Sequence, residues 1–124
     1  MALLIDTHAL IWIGQGNPKV PARVLDAISE EAAELFVSAV TAYEYADLHH
    51  RGRLPAAASL AELQDRMLFE ILDFPADLWP IASTLPPIHR DPVDRMLIAH
   101  ALSLAATLVS ADADIGRYRV ETLW

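Results

Sequence analysis

Four carboxylates, Asp6, Glu44, Asp94 and Asp112, stand where an apolar run has just ended or a helix is just beginning. Asp6 closes Ala2-Leu3-Leu4-Ile5, and Ser110-Ala111-Asp112 follows Leu108-Val109. Glu44 falls in the first turn of a helix predicted from about Ala42 to Arg51, and Asp94 in the first turn of one opened by Asp91-Pro92. If the apolar runs are parallel strands, all four acids belong at their carboxyl end, where open sheets bind ligands. Two carboxylates about 5 Å apart repel by roughly 3 kcal/mol at an effective dielectric of 20, and four raise one another's pKa values sharply. A divalent cation relieves that repulsion. With oxygen ligands and no cysteine in the chain, Mg²⁺ or Mn²⁺ is expected. Such ions bridge phosphate oxygens and acidify bound water, which suits in-line hydrolysis of a phosphodiester.

Each acid also has a structural explanation. Thr41-Ala42-Tyr43-Glu44 reads as a capping box. Asp91-Pro92-Val93-Asp94 reads as an N-cap followed by an acid favoured by the helix dipole, with Asp91 the cap rather than a ligand. Asp112-Ala113-Asp114 fits turn chemistry. Asp6 is harder to explain away, because an acid ending a buried central strand is expected to have no capping duty. Thr7 and Ser110 could orient carboxylates or bond the local backbone. Arg90 and Arg95 flank the acidic helix start, where they could hold phosphate or pair with acids. His49, His50 and His100 read as surface or core residues. His8 and His89 could approach the crevice, although catalysis by a bound water does not require them.

The elements that must position these residues follow from periodicity. Ala2–Ile5, Leu35–Val37, Ala106–Val109 and Val120–Leu123 are short apolar runs of the kind buried in parallel sheets, and Glu70–Phe74 is a third-strand candidate. Between them lie helical patterns: one beginning near Thr7, one opened by Pro21, one from about Ala42, one carrying Leu60, Leu63 and Met67, one from Trp79 to Thr84, and one from Pro92 to about Leu104. Alternating strands and helices predict a three-layer α/β/α sandwich around a mostly parallel sheet of about five short strands. The 124 residues make one domain spanning 1–124, with no internal repeat.

Composition sets the limits. Apolar residues make up 54% of the chain, which predicts an Ala/Leu-rich core with apolar surface left over for a homodimer. The opening apolar run lacks a basic flank and is cut by Asp6, and no stretch approaches the roughly 18 apolar residues of a membrane span. The expectation is therefore a soluble cytoplasmic protein, with no membrane partner. A net charge of −8, with Lys19 the only lysine, argues against generic nucleic-acid affinity. A nucleic-acid substrate would need the sign inverted locally by a metal, grouped arginines or a dimer groove.

Leu4-Ile5-Asp6-Thr7-His8-Ala9-Leu10-Ile11-Trp12 resembles the opening of PIN-domain nucleases, and His89-Arg90-Asp91-Pro92-Val93-Asp94-Arg95-Met96-Leu97-Ile98-Ala99 resembles a signature of their VapC-type toxin branch. Leu108–Asp112 and Val120–Trp124 are similar to its closing segments. The resemblance spans essentially the whole chain and is most specific around residues 89–99. It implies a five-stranded parallel sheet, Mg²⁺ or Mn²⁺ dependence, endoribonuclease activity on an RNA substrate, and pairing with a cognate antitoxin whose C-terminal segment blocks the site. Matched residue by residue, its acidic quartet falls on Asp6, Glu44, Asp94 and Asp112, with Glu44 the loosest match and Asp47 one helical turn away. Ser110 stands where Thr is common and Val93 where Phe is frequent.

On this reading Asp6, Asp94 and Asp112 hold the metal, and Glu44 completes the shell or orients the attacking water. Competing classes fit less well. A phosphoacceptor receiver domain needs an Asp ending a mid-chain strand and a late Lys, and Lys19 lies early. A haloacid-dehalogenase-type phosphatase wants an Asp where His8 stands, and again a downstream lysine. A PIN fold that only binds would not need all four acids.

Overall fold

The computed structural model describes residues 1–124. Five strands, β1 (Ala2–Ile5), β2 (Glu34–Ser38), β3 (Glu70–Leu72), β4 (Thr107–Val109) and β5 (Thr122–Leu123), form one sheet in the order β3-β2-β1-β4-β5. Every pairing is parallel. The chain runs outward from β1 through β2 to β3, then returns to place β4 against the other side of β1. The order therefore reverses between β1 and β4, which opens a crevice beyond their carboxyl ends.

Helices α1 (Thr7–Gly14), α2 (Ala22–Ser29), α3 (Ala39–His50), α4 (Leu60–Met67), α5 (Trp79–Thr84) and α6 (Pro92–Leu104) cover the two faces. Successive side chains of β1 point to opposite sides. Leu3 and Ile5 join a core with Leu10, Val24, Tyr45 and Leu63 from α1 to α4. Leu4 joins a second core with Leu97, Ile98 and Ala101 of α6 and with Ile115 and Tyr118. These two cores confirm the three-layer sandwich. No helix is long and apolar enough to cross a membrane.

Two expectations about helix starts are corrected. Helix α3 begins at Ala39 rather than Ala42, because Ser38 caps it by accepting a hydrogen bond from the Val40 amide at 3.3 Å. Glu44 consequently lies in the second turn, and Thr41 and Glu44 form no capping box. The buried Thr41 hydroxyl instead meets that of Thr7 at 3.1 Å, tying α3 to the start of α1. The chain's capping box is at Ser59 and Glu62, which open α4. Asp6 does have a capping duty: its Oδ1 accepts from the Ala9 amide at 2.7 Å and starts α1.

Gly14 ends α1 where space is tight. A Cβ there would sit 2.8 Å from the Tyr45 hydroxyl and 3.0 Å from Leu63. Its absence lets α1 approach α3 and α4 closely, and the Tyr45 hydroxyl donates to the Ala58 carbonyl at 2.6 Å.

Candidate metal centre

The crevice at the β1/β4 reversal is a cleft of about 270 Å³ lined by Asp6, His8, Trp12, Asp94, Ala111 and Asp112. Three elements deliver its acids. The Asp6 amide donates to the Val109 carbonyl at 3.0 Å, which extends the β1–β4 pairing by one residue and fixes Asp6 beside the end of β4. The Ser110 amide donates to the Leu123 carbonyl at 3.1 Å, so β5 anchors the segment that carries Asp112. Asp94 enters from the first turn of α6, whose start is set by Pro92 and by Asp91 accepting from the Val93 amide at 2.8 Å. A larger cleft of about 440 Å³, lined by Ala33, Leu35, Met67 and Leu68 among others, lies at the amino ends of β2 and β3. It is at the wrong end of the sheet for this chemistry.

Electrostatics mark the cleft as short of positive charge. Burial, reinforced by Asp91, Asp6 and Asp112 and opposed by His89, pushes the Asp94 carboxyl up to about 6. Burial also raises Asp6, only 3% exposed, against the Ser110 hydroxyl, the Ala9 amide and His8. Burial acts against the Asp112 charge as well, but the His89 hydrogen bond and the Asp114 amide outweigh it and hold Asp112 below its ordinary value. Three carboxylates with two raised pKa values form a hard-oxygen donor set that fits a small divalent cation. One side-chain nitrogen or oxygen from each of His89, Asp94 and Asp112 lies within 4.8 Å of the other two.

Glu44 stands apart from these three. It lines a separate depression with Val40, Tyr43, Asp47, Leu48, Arg51 and Val93. Asp91 is an N-cap, as its sequence context predicts. The Ser110 hydroxyl accepts from the Asp112 amide at 3.1 Å and lies beside Asp6, so it serves both local backbone and acid. Arg95 pairs with no acid. Its guanidinium donates to the carbonyls of Ala82, Leu85, Pro86 and His89 at 3.2, 2.8, 3.0 and 3.1 Å, clamping the extended lead-in to α6.

His89 is the residue that sequence reasoning undervalued. Its Nε2 lies 2.7 Å from Asp112 Oδ2 and 3.1 Å from Asp94 Oδ2. Burial opposes its charge, but the Asp112 hydrogen bond and the charges of Asp94, Asp112 and Asp91 prevail and raise its pKa. The available signal was its place two residues before the cap of the helix that carries Asp94. His100 is buried in the core, edge-on to Phe74.

The fold and the acid-lined cleft define a class, and sequence comparison names it. A PIN domain family model matches residues 3–121, and the chain belongs to that family. No curated protein sequence matches it significantly. Among solved structures it is similar to VapBC2 from Rickettsia felis bound to a promoter DNA fragment, at TM-score 0.72 and 16% identity over 99% of this chain and 98% of that one. VapBC-1 from nontypeable Haemophilus influenzae aligns at TM-score 0.67 and 18% identity, over 99% and 97% of the two chains. Mycobacterium tuberculosis VapC20, a sarcin-ricin loop cleaving toxin, aligns at TM-score 0.61 and 19% identity, over 93% of each.

Proposed function

We propose that this chain is a divalent-metal-dependent endoribonuclease that acts as the toxin of a toxin–antitoxin pair. The observation that carries the reading is the convergence of Asp6, Asp94 and Asp112 in one cleft at the sheet's reversal point, with Asp94 pushed up to about 6. Asp6, Asp94 and Asp112 would hold Mg²⁺ or Mn²⁺, which when bound supplies charge to a phosphate and lowers the pKa of water for attack at phosphorus. The protein's part is placement. The Ala9 amide fixes Asp6, the Asp114 amide and His89 fix Asp112, and α6 presents Asp94. Glu44, which lines its own depression, is assigned to orienting the attacking water rather than to holding the ion.

Similarity to VapBC assemblies supports an antitoxin partner. An acidic cleft is suited to receive an Arg or Lys from that partner, which would replace the cation's charge. Exposed Tyr43, Trp79 and Ile81 leave apolar surface for the antitoxin and for a second copy of the chain. An RNA substrate would put the activity in the cytoplasm. The phosphatase and receiver alternatives lack support, because the sole lysine, Lys19, is exposed and is not among the residues lining the cleft.

The test is Asp94→Asn, assayed for RNA cleavage with Mg²⁺ after removal of trace nuclease. Cleavage should fall by about 100-fold or more with the circular dichroism spectrum unchanged. Cleavage equal to that of the unaltered protein would remove the assignment.

A further inference from the structure

Building on the metal-site reading, we propose that His89 is a positioning residue of that site: its Nε2–H bridges Asp94 and Asp112, and it is not itself a ligand. Four bonds fix it. Its amide donates to the Tyr118 hydroxyl at 2.7 Å, and its carbonyl accepts from Arg95 at 3.1 Å. Its Nδ1 accepts from the Asp91 amide at 3.2 Å, and its Nε2 meets Asp112 Oδ2 at 2.7 Å and Asp94 Oδ2 at 3.1 Å. The Tyr118 hydroxyl in turn donates to the Pro86 carbonyl at 2.7 Å, so the lead-in is held from two sides.

This geometry settles which atom carries the proton. A backbone amide can only donate, so Nδ1 presents its lone pair to Asp91 and the ring proton of the neutral imidazole sits on Nε2. Carboxylates accept, so Nε2–H faces two acceptors. Imidazolium also carries a proton on Nε2, and the atom is a donor in either form. Ligation would need a lone pair there, which in the neutral ring moves the proton to Nδ1, against the Asp91 N–H.

The bridge serves the acids. Asp94 and Asp112 lie 18 residues apart in sequence, and their like charges push them apart. One N–H shared between them holds both Oδ2 atoms beside a single nitrogen. Each carboxylate oxygen has a second lone pair, so the bridge leaves room for a cation. Partners of this kind that orient ligands commonly contribute 10–100-fold to metal affinity, on the order of what is expected here.

Two substitutions separate the bonds. Glutamine places an amide N–H near the position of Nε2, whereas asparagine is too short to reach it. Mn²⁺ binding followed by calorimetry should weaken about 10–100-fold in His89→Asn and return to within about threefold of the unaltered protein in His89→Gln. In the unaltered protein saturated with Mg²⁺, proton–nitrogen correlation spectra should show Nε2 still protonated. Equal or tighter Mn²⁺ binding by His89→Asn would overturn the proposal, because the ring would then be idle or competing with the ion. An unprotonated, metal-shifted Nε2 would overturn it by making His89 a ligand. Failure of the unaltered protein to bind Mn²⁺ would instead remove the metal site itself, and the proposal with it.

Discussion

Asp6 has a structural duty beside the chemical one proposed for it, and substitutions can separate the two. Asp6 caps α1 through Oδ1, and Asn caps as well as Asp whereas Ala does not. Asp6→Asn should therefore be more stable than Asp6→Ala by about 1 kcal/mol in chemical unfolding, with both losing metal-dependent cleavage. Asp94 has a folded-state pKa of about 6, above the ordinary 3.8. Its contribution to stability is full below pH 3.8 and is lost as the pH rises through about 6. In the metal-free protein at pH 8 its ionisation costs at most about 3 kcal/mol, reduced by solvent screening of this half-buried carboxyl. Asp94→Asn should then unfold at a higher temperature than the unaltered protein at pH 8 in chelator, with that advantage shrinking toward pH 4. An advantage independent of pH would mean that the carboxyl is not raised. Asp112 is shifted the opposite way, so the difference between variant and parent is the quantity to follow, rather than either curve alone.

At the scale of elements, the helix ends and close approaches decide where the acids stand. Ala105 ends α6 in the left-handed region at φ 50, where a Cβ is unfavourable. Ala105→Gly should stabilise the protein by roughly 0.5–1 kcal/mol. Gly14→Ala should do the reverse by about 1–3 kcal/mol, because the new methyl meets the Tyr45 hydroxyl and Leu63. Urea unfolding midpoints check both. The strand and helix order could be read from the sequence because buried parallel strands are unbroken apolar runs and the helices carry Pro, Ser or Asp at their starts. Helix α6 could be placed almost to the residue, since Asp91-Pro92 combines a side-chain cap with a fixed φ. The start of α3 could not, because its cap, Ser38, also ends a strand and two possible capping residues lie three apart. Asp6 hid a cap in the same way: the chain passes from β1 to α1 with a single residue between them.

The whole molecule explains what no local pattern reveals. Sheet order β3-β2-β1-β4-β5 puts β1 and β4 side by side although about 100 residues separate them. That adjacency brings Asp6 to Asp112. The acids were legible as residues that follow strands, but the partner of each depended on this order. His89 was not legible as a partner of Asp112, since their contact spans 23 residues and needs the lead-in that Arg95 and Tyr118 clamp. Glu44, which sequence reasoning grouped with the other three, lines its own depression once α3 starts at Ala39. The most direct test of the central claim is calorimetric titration of Mg²⁺ or Mn²⁺ into the unaltered protein and into an Asp6→Asn/Asp94→Asn double variant with the same circular dichroism spectrum. The account predicts saturable binding by the first and none by the second. Equal binding by both would contradict it.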